Sequence, residues 1–197
     1  MGKALFIITT FVACMCLSGC STPEKKNIEE YIRSHYDGES INELKIVEIS
    51  EGKDMYDPKK DLKSLQVKIL SAKSDMVKLR KEAWESKDKK TTLSLLRRAT
   101  ESFNSLTIGG EIEKIEMQMK HPLSLMNEAN RKGDVVKYKI NGVEKEAVFF
   151  FKENSDDIDY VYDELKVMLD SIKEDYLKAC DVHERYNNEL FELEYGD

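Results

Sequence analysis

Apolar residues at Leu62, Leu65, Ile69, Ala72, Met76, Leu79 and Ala83 recur three and four positions apart, the spacing that lines one face of an α-helix. Asp57-Pro58 supplies a cap and a first-turn proline ahead of them, so the pattern predicts a helix from Pro58 to about Trp84. Glu85 to Lys90 is polar and reads as a turn. Leu93, Leu96, Ala99, Phe103 and Leu106 then resume helical spacing, and the pair predicts an antiparallel helical hairpin.

Three further segments flank this hairpin. Thr22-Pro23 precedes Ile28, Tyr31, Ile32, His35 and Tyr36, which predicts a capped helix closed by Asp37-Gly38. Asn42 to Ser50 is rich in β-branched and apolar residues and predicts a strand, with Glu51 to Asp57 as a loop. Gly109-Gly110 reads as a helix break opening a strand over Glu111 to Lys120, where Ile115, Met117 and Met119 alternate with polar residues. His121-Pro122 ends that strand, and Leu123 to Arg131 is expected to form a short helix.

The rest of the pattern is sharper. Val135–Ile140 and Val143–Phe151 flank Asn141-Gly142, the strongest short-range signature of a β-hairpin, because both turn positions favour positive φ. Phe149, Phe150 and Phe151 place aromatics on both strand faces, which predicts a strand covered on each side. Ser155, Asp156, Asp157 and Asp159 read as the acidic first turn of a helix. Ile158, Val161, Leu165, Met168, Ile172, Tyr176, Ala179, Val182, Tyr186 and Leu193 extend that helix to nearly 60 Å at 1.5 Å per residue. Such a helix either breaks near Asp181 to Asn188 or packs its outer part on the other long helix or on a partner. The fold class expected is α+β: an antiparallel sheet of three to four strands packed with helices, an inserted helical hairpin and a long C-terminal helix.

Charge divides along the chain. Of 197 residues, 35% are charged and the net charge is -7, which excludes a polytopic membrane protein. Lys59 to Thr100 holds thirteen basic residues against five acids, whereas Glu153 to Asp197 holds four against fifteen. Complementary signs predict that the basic and acidic helices lie side by side. The other reading is a dipolar surface whose basic helix touches anionic lipid headgroups or an acidic partner. An acidic total and the lack of a stacking motif count against nucleic acid.

The amino terminus adds a specific signal. Lys3 precedes an apolar run from Ala4 to Cys16, interrupted by Thr9 and Thr10, which is too short to cross a bilayer but suits the h-region of a signal peptide. Leu17-Ser18-Gly19-Cys20 follows. This resembles the lipobox of bacterial lipoprotein precursors: an aliphatic residue, two small residues for the signal peptidase, then a thiol that can take a diacylglyceryl group as a thioether. The resemblance implies cleavage after residue 19, lipidation and acylation at Cys20, and a single mature domain over residues 20–197. It implies an exported protein held to the cell-envelope membrane, the outer membrane if the cell is Gram-negative, since Ser21 follows the cysteine. Cys14 and Cys16 would leave with the signal, so Cys180 would stand alone as a buried, inert thiol.

Nothing in the mature chain marks a reaction. His35, His121 and His183 fall in different elements, and Cys180 with His183 gives two ligands where zinc needs three or four. Asp156-Asp157-Ile158-Asp159 lacks the glycine and distal glutamate of an EF-hand. No GxSxG, P-loop or GxGxxG occurs. No cofactor or metal site is expected. The expectation is a lipid-anchored, non-enzymatic envelope protein that binds another protein through its long helices. A small-ligand binder with an apolar pocket between sheet and helices is the alternative, and a carboxylate-based hydrolase is third.

Overall fold

Thr22 accepts a hydrogen bond from the Lys25 backbone N–H at 3.3 Å, and Pro23 takes the first helical position, so helix α1 (Pro23–His35) starts where its capping residues place it. The computed structural model describes residues 22–36, 38, 40–122 and 130–196. After α1 the chain runs through β1 (Leu44–Tyr56), α2 (Lys59–Glu85), α3 (Lys89–Asn104), α4 (Ile108–Lys120), β2 (Asn130–Ile140), β3 (Val143–Phe151), β4 (Ile158–Val161) and α5 (Tyr162–Tyr195). The architecture is α+β, with the four strands in one antiparallel sheet of order β1-β2-β3-β4. The helices α2, α3 and α4 form the excursion between β1 and β2.

The sheet is covered on both faces. Phe149 is 1% exposed and its neighbour Phe150 is 0% exposed; since successive strand residues point oppositely, each fills a different core. On one side Phe149 joins Val136, Ala147, Ile46 and the α1 residues Ile28 and Ile32. On the other, Phe150, Met55, Tyr56 and Tyr160 meet α2, α4 and α5. Asn141 and Gly142 carry positive φ, 49° and 83°, and β2 and β3 pair in register from Ile140↔Val143 onward. The predicted hairpin is therefore present.

Helix α2 buries Leu62, Leu65, Ile69, Ala72, Met76 and Ala83, the face its periodicity marks. It turns at Ser86 into α3, whose Asp88 cap accepts from the Thr91 N–H at 2.9 Å. Helix α5 is continuous over 34 residues and does not project. It folds back on the bundle, with Leu169, Ile172, Ala179, Val182 and Tyr186 buried in the same core as α2 and α3.

Four expectations are corrected. The run Glu111 to Lys120 is helix α4, not a strand: Ile108, Ile112, Ile115 and Met119 are buried at helical spacing, while Met117, read as inward, is 66% exposed. Gly109 and Gly110 stand in its first turn, where backbone N–H groups need no intrahelical partner. Glu51 to Tyr56 is not loop but the second half of β1, which crosses two register irregularities, after Ile46 and after Ser50. In the second, Asp134 Oδ1 accepts from the Gly52 N–H at 2.7 Å, satisfying a donor that the bulge removes from the ladder. Asp156 to Asp159 does not open the long helix. The short strand β4 intervenes, and the acidic first turn of α5 is Asp163 and Glu164 instead. Finally, Asn130 and Arg131 begin β2, whereas the rest of the expected short helix, residues 123–129, lies outside the described residues.

Candidate functional site

The densest group of ionisable side chains lies where the sheet meets the bundle. Asp57 follows the last residue of β1, Lys59 opens α2, Arg131 stands near the start of β2, and Asp159 and Tyr160 belong to β4. Asp57 Oδ1 accepts from the Lys59 backbone N–H at 3.0 Å. Lys59 Nζ donates to Asp159 Oδ1 at 2.6 Å and sits 4.3 Å over the centre of the Tyr160 ring. Arg131 donates to Asp159 Oδ2 at 2.8 Å and to the Phe151 carbonyl. Beside them, Tyr56 donates to Asp61 Oδ2 at 2.9 Å.

Electrostatics fixes the protonation of this cluster. Burial raises the Asp159 pKa, but hydrogen bonds from Lys59 and Arg131 outweigh it and hold the carboxyl below the usual carboxylate range. Burial, then hydrogen bonding to Asp57, pushes the Tyr160 phenol far up. Burial and Asp61 do the same to Tyr56. Burial, with the charges of Asp57 and Asp163, pushes Tyr162 up to about 12. Near neutral pH the tyrosines are protonated donors and Asp159 is an ionised acceptor flanked by two cations. Chemically, the arrangement clamps charges together, joining the first turn of α2 to the sheet. Sequence reading took Asp57 as a cap and Asp159 as a helix-start acid. Nothing local in the sequence marks Arg131 as the partner of Asp159.

A second polar group lies inside the bundle. Burial, and then the neighbouring Cys180, raises the pKa of the Tyr176 phenol. Phe103 stacks on Tyr176 with ring centres 6.2 Å apart and meets the His183 ring at 5.1 Å. Cys180 is a free, half-buried thiol. The other histidines are elsewhere: His35 stacks on Tyr31 at 4.0 Å, and His121 caps α4. Among the described residues no group of three or more His, Cys, Asp or Glu side chains is placed to hold a metal ion.

The sorted charge becomes contact between helices. Arg80 on α2 binds Glu189 on α5 at 2.8 Å, Arg97 on α3 binds Glu194, and Lys68 binds Glu111 on α4 at 2.7 Å. The predicted side-by-side packing of basic and acidic helices is what the structure has. The outward faces remain. Most large apolar side chains that stay exposed belong to the bundle: Val67, Leu70, Val77 and Trp84 on α2, Met117 on α4, and Val167, Leu177, Phe191 and Tyr195 on α5. Among the described residues no helix is long and apolar enough to cross a membrane.

Leu17, Ser18, Gly19 and Cys20, the residues singled out for processing and lipidation, lie outside the described residues; the described fold begins at Thr22. No protein-family model, curated protein or solved structure matches this chain.

Proposed function

We propose that this chain is a lipoprotein of the cell envelope, anchored to the membrane through lipid on Cys20, whose folded domain binds a protein partner without catalysing a reaction. The observation that carries the binding half is the placement of the exposed apolar residues. Among the described residues most of them lie on the outward faces of helices in a bundle whose interior is already filled, and apolar side chains left on such faces favour contact with another surface. The lipobox-like Leu17-Ser18-Gly19-Cys20 carries the anchoring half, and helix α1 starts at Pro23, so the domain would sit close to its tether.

Radiolabelled palmitate fed to expressing cells tests the anchor. The wild-type chain is expected to take up label and Cys20→Ser to take up none; an unlabelled wild-type chain sinks the reading. A photo-crosslinker at Leu177 or Phe191 on α5 tests the binding half. One defined protein crosslinked at both positions supports it, and crosslinking to lipid alone counts against it.

A further inference from the structure

Several basic residues of the bundle pair across to other elements: Lys59 with Asp159, Lys68 with Glu111, Arg80 with Glu189 and Arg97 with Glu194. The lysines on the outward side of α2 do not. Lys60, Lys63 and Lys78 are exposed and make no ion pair among the described residues, and Lys81 has only Glu85 at 3.8 Å on its own helix. At 100° per residue these four lysines share an arc of roughly 120° with Val67, Leu70, Val77 and Trp84, opposite the face that carries Leu65, Ile69 and Met76. The four apolar residues are 49% to 67% exposed. One acid, Glu85, falls within the arc, and Glu82 and Asp75 lie roughly 40° to 60° beyond one margin.

We infer that this outward face of α2 is a contact surface for an anionic lipid bilayer. Apolar side chains interleaved with exposed lysines, three of them without an ion pair among the described residues, match a layer whose surface is negative and whose boundary region is apolar. Trp84 stands at one edge of this face: its indole N–H donates to Glu189 on α5 at 3.3 Å and the side chain stays 51% exposed, an aromatic of the kind enriched at membrane interfaces. The face is the convex side of a single helix with its apolar residues spread over about 26 Å. A flat surface can touch all of it.

Helices α1 and α2 start near the same end of the sheet. Asn27 on α1 donates to the Asp156 carbonyl at 2.9 Å, and Lys59 at the start of α2 pairs with Asp159 at 2.6 Å. The loop and strand around Asp156 to Asp159 thus tie both helices to the same end of the sheet. A lipid on Cys20 would convert α2 docking into an intramolecular event at high effective concentration. The inference rests on the anchoring reading for that advantage, but not for the chemistry of the face.

Trp84 is the sole tryptophan of the chain, so it reports on this face without labelling. The full chain is purified with the acylation of Cys20 read by mass spectrometry. It is then placed in vesicles of phosphatidylcholine alone, or of phosphatidylcholine with about a third phosphatidylglycerol. With anionic vesicles Trp84 emission is expected to shift blue and be quenched by brominated lipid; with neutral vesicles it stays solvent-like. Changing Lys60, Lys63, Lys78 and Lys81 together to Gln should abolish the shift with the circular dichroism unchanged. Untethered chain should lose about fivefold in partition per lysine removed. Emission that does not differ between the two compositions overturns the inference. So does a shift that follows protein density instead of lipid charge, the result a second copy on this face would give. An unacylated Cys20 sinks the anchoring reading alone, because the same chain added to the vesicles from solution still tests α2.

Discussion

Arg80 on α2 holds Glu189 on α5 through two nitrogens: Nε lies 2.9 Å from Oε2, and Nη2 lies 2.8 Å from Oε1. The Trp84 indole donates to the same carboxylate at 3.3 Å. The two residues are 109 positions apart in sequence, and their contact fixes the outer half of the longest helix against the bundle. With Lys59 and Asp159 paired at the opposite end, α2 and α5 run parallel along their length.

Because both partners of this pair are partly solvated, its coupling is modest. A double-mutant cycle with Arg80→Ala and Glu189→Ala, read by urea unfolding, is expected to give about 0.5–1 kcal/mol, falling as salt is added. A coupling of zero would mean that this pair contributes nothing to holding α5.

Acid should loosen the molecule. Glu189 is held below the usual carboxylate range by hydrogen bonding to Arg80, and Asp159 by Lys59 and Arg131 against the upward push of its burial. A carboxyl whose folded pKa is depressed stabilises above its unfolded pKa and loses that contribution as pH falls through the folded value. Urea midpoints are therefore expected to be flat near neutrality and to drop below roughly pH 4. The double variant Asp159→Asn, Glu189→Gln should begin less stable and lose less between pH 6 and 3. An equal loss in both proteins would place the acid sensitivity elsewhere.

The β2–β3 turn separates backbone strain from hydrogen bonding. A Cβ on Gly142 would meet nothing within 4 Å, so Gly142→Ala costs only the left-handed backbone at φ 83°, about 1 kcal/mol. Asn141 Oδ1 accepts from the Asn42 and Glu43 backbone N–H groups at 2.9 and 3.1 Å. Asn141 Nδ2 also donates to the Ser40 carbonyl at 3.1 Å, so Asn141→Ala loses three bonds and is expected to cost about 2 kcal/mol. Equal costs would show that the side chain contributes nothing.

The glycine pair of α4 gives a contrast of sign. Gly110 has open space around a built Cβ, whereas one on Gly109 would lie 3.0 Å from the Tyr176 hydroxyl. Gly110→Ala is expected to stabilise by about 0.5–1 kcal/mol through the unfolded chain. Gly109→Ala should gain less or destabilise, by disturbing Tyr176 and its stack on Phe103. Thermal melts of the two variants check the order; a larger gain at Gly109 would contradict the contact.

Local pattern made much of this fold legible. Leu62 to Ala83 can repeat at helical spacing over that length only as a helix with one buried face, and Asn141-Gly142 between two β-branched runs admits little but a hairpin. Thr22-Pro23 likewise marks the first turn of α1. These signals act between residues a few positions apart, so they survive without knowledge of the rest of the chain.

Where local preferences are balanced, tertiary packing decided. Residues 108–120 carry both Ile115, Met117 and Met119 at strand spacing and Ile108, Ile112, Ile115 and Met119 at helical spacing. The helix exists because it sets the second group against α2 and α5. The polar stretch Glu51 to Tyr56 is a strand because β2 supplies its hydrogen-bond partners. The clamp of Asp57, Lys59, Arg131 and Asp159 joins residues spread over a hundred positions, and the free lysines of α2 are distinguishable from the paired ones only once α4 and α5 are in place. By itself the sequence determined helices α1, α2 and α3 and the length of α5, the hairpin, the division of charge and the Leu17-Ser18-Gly19-Cys20 pattern, because each is written in neighbouring residues. The tertiary structure alone decided which charges meet and which face outward, because an ion pair between distant residues depends on the path of the whole chain.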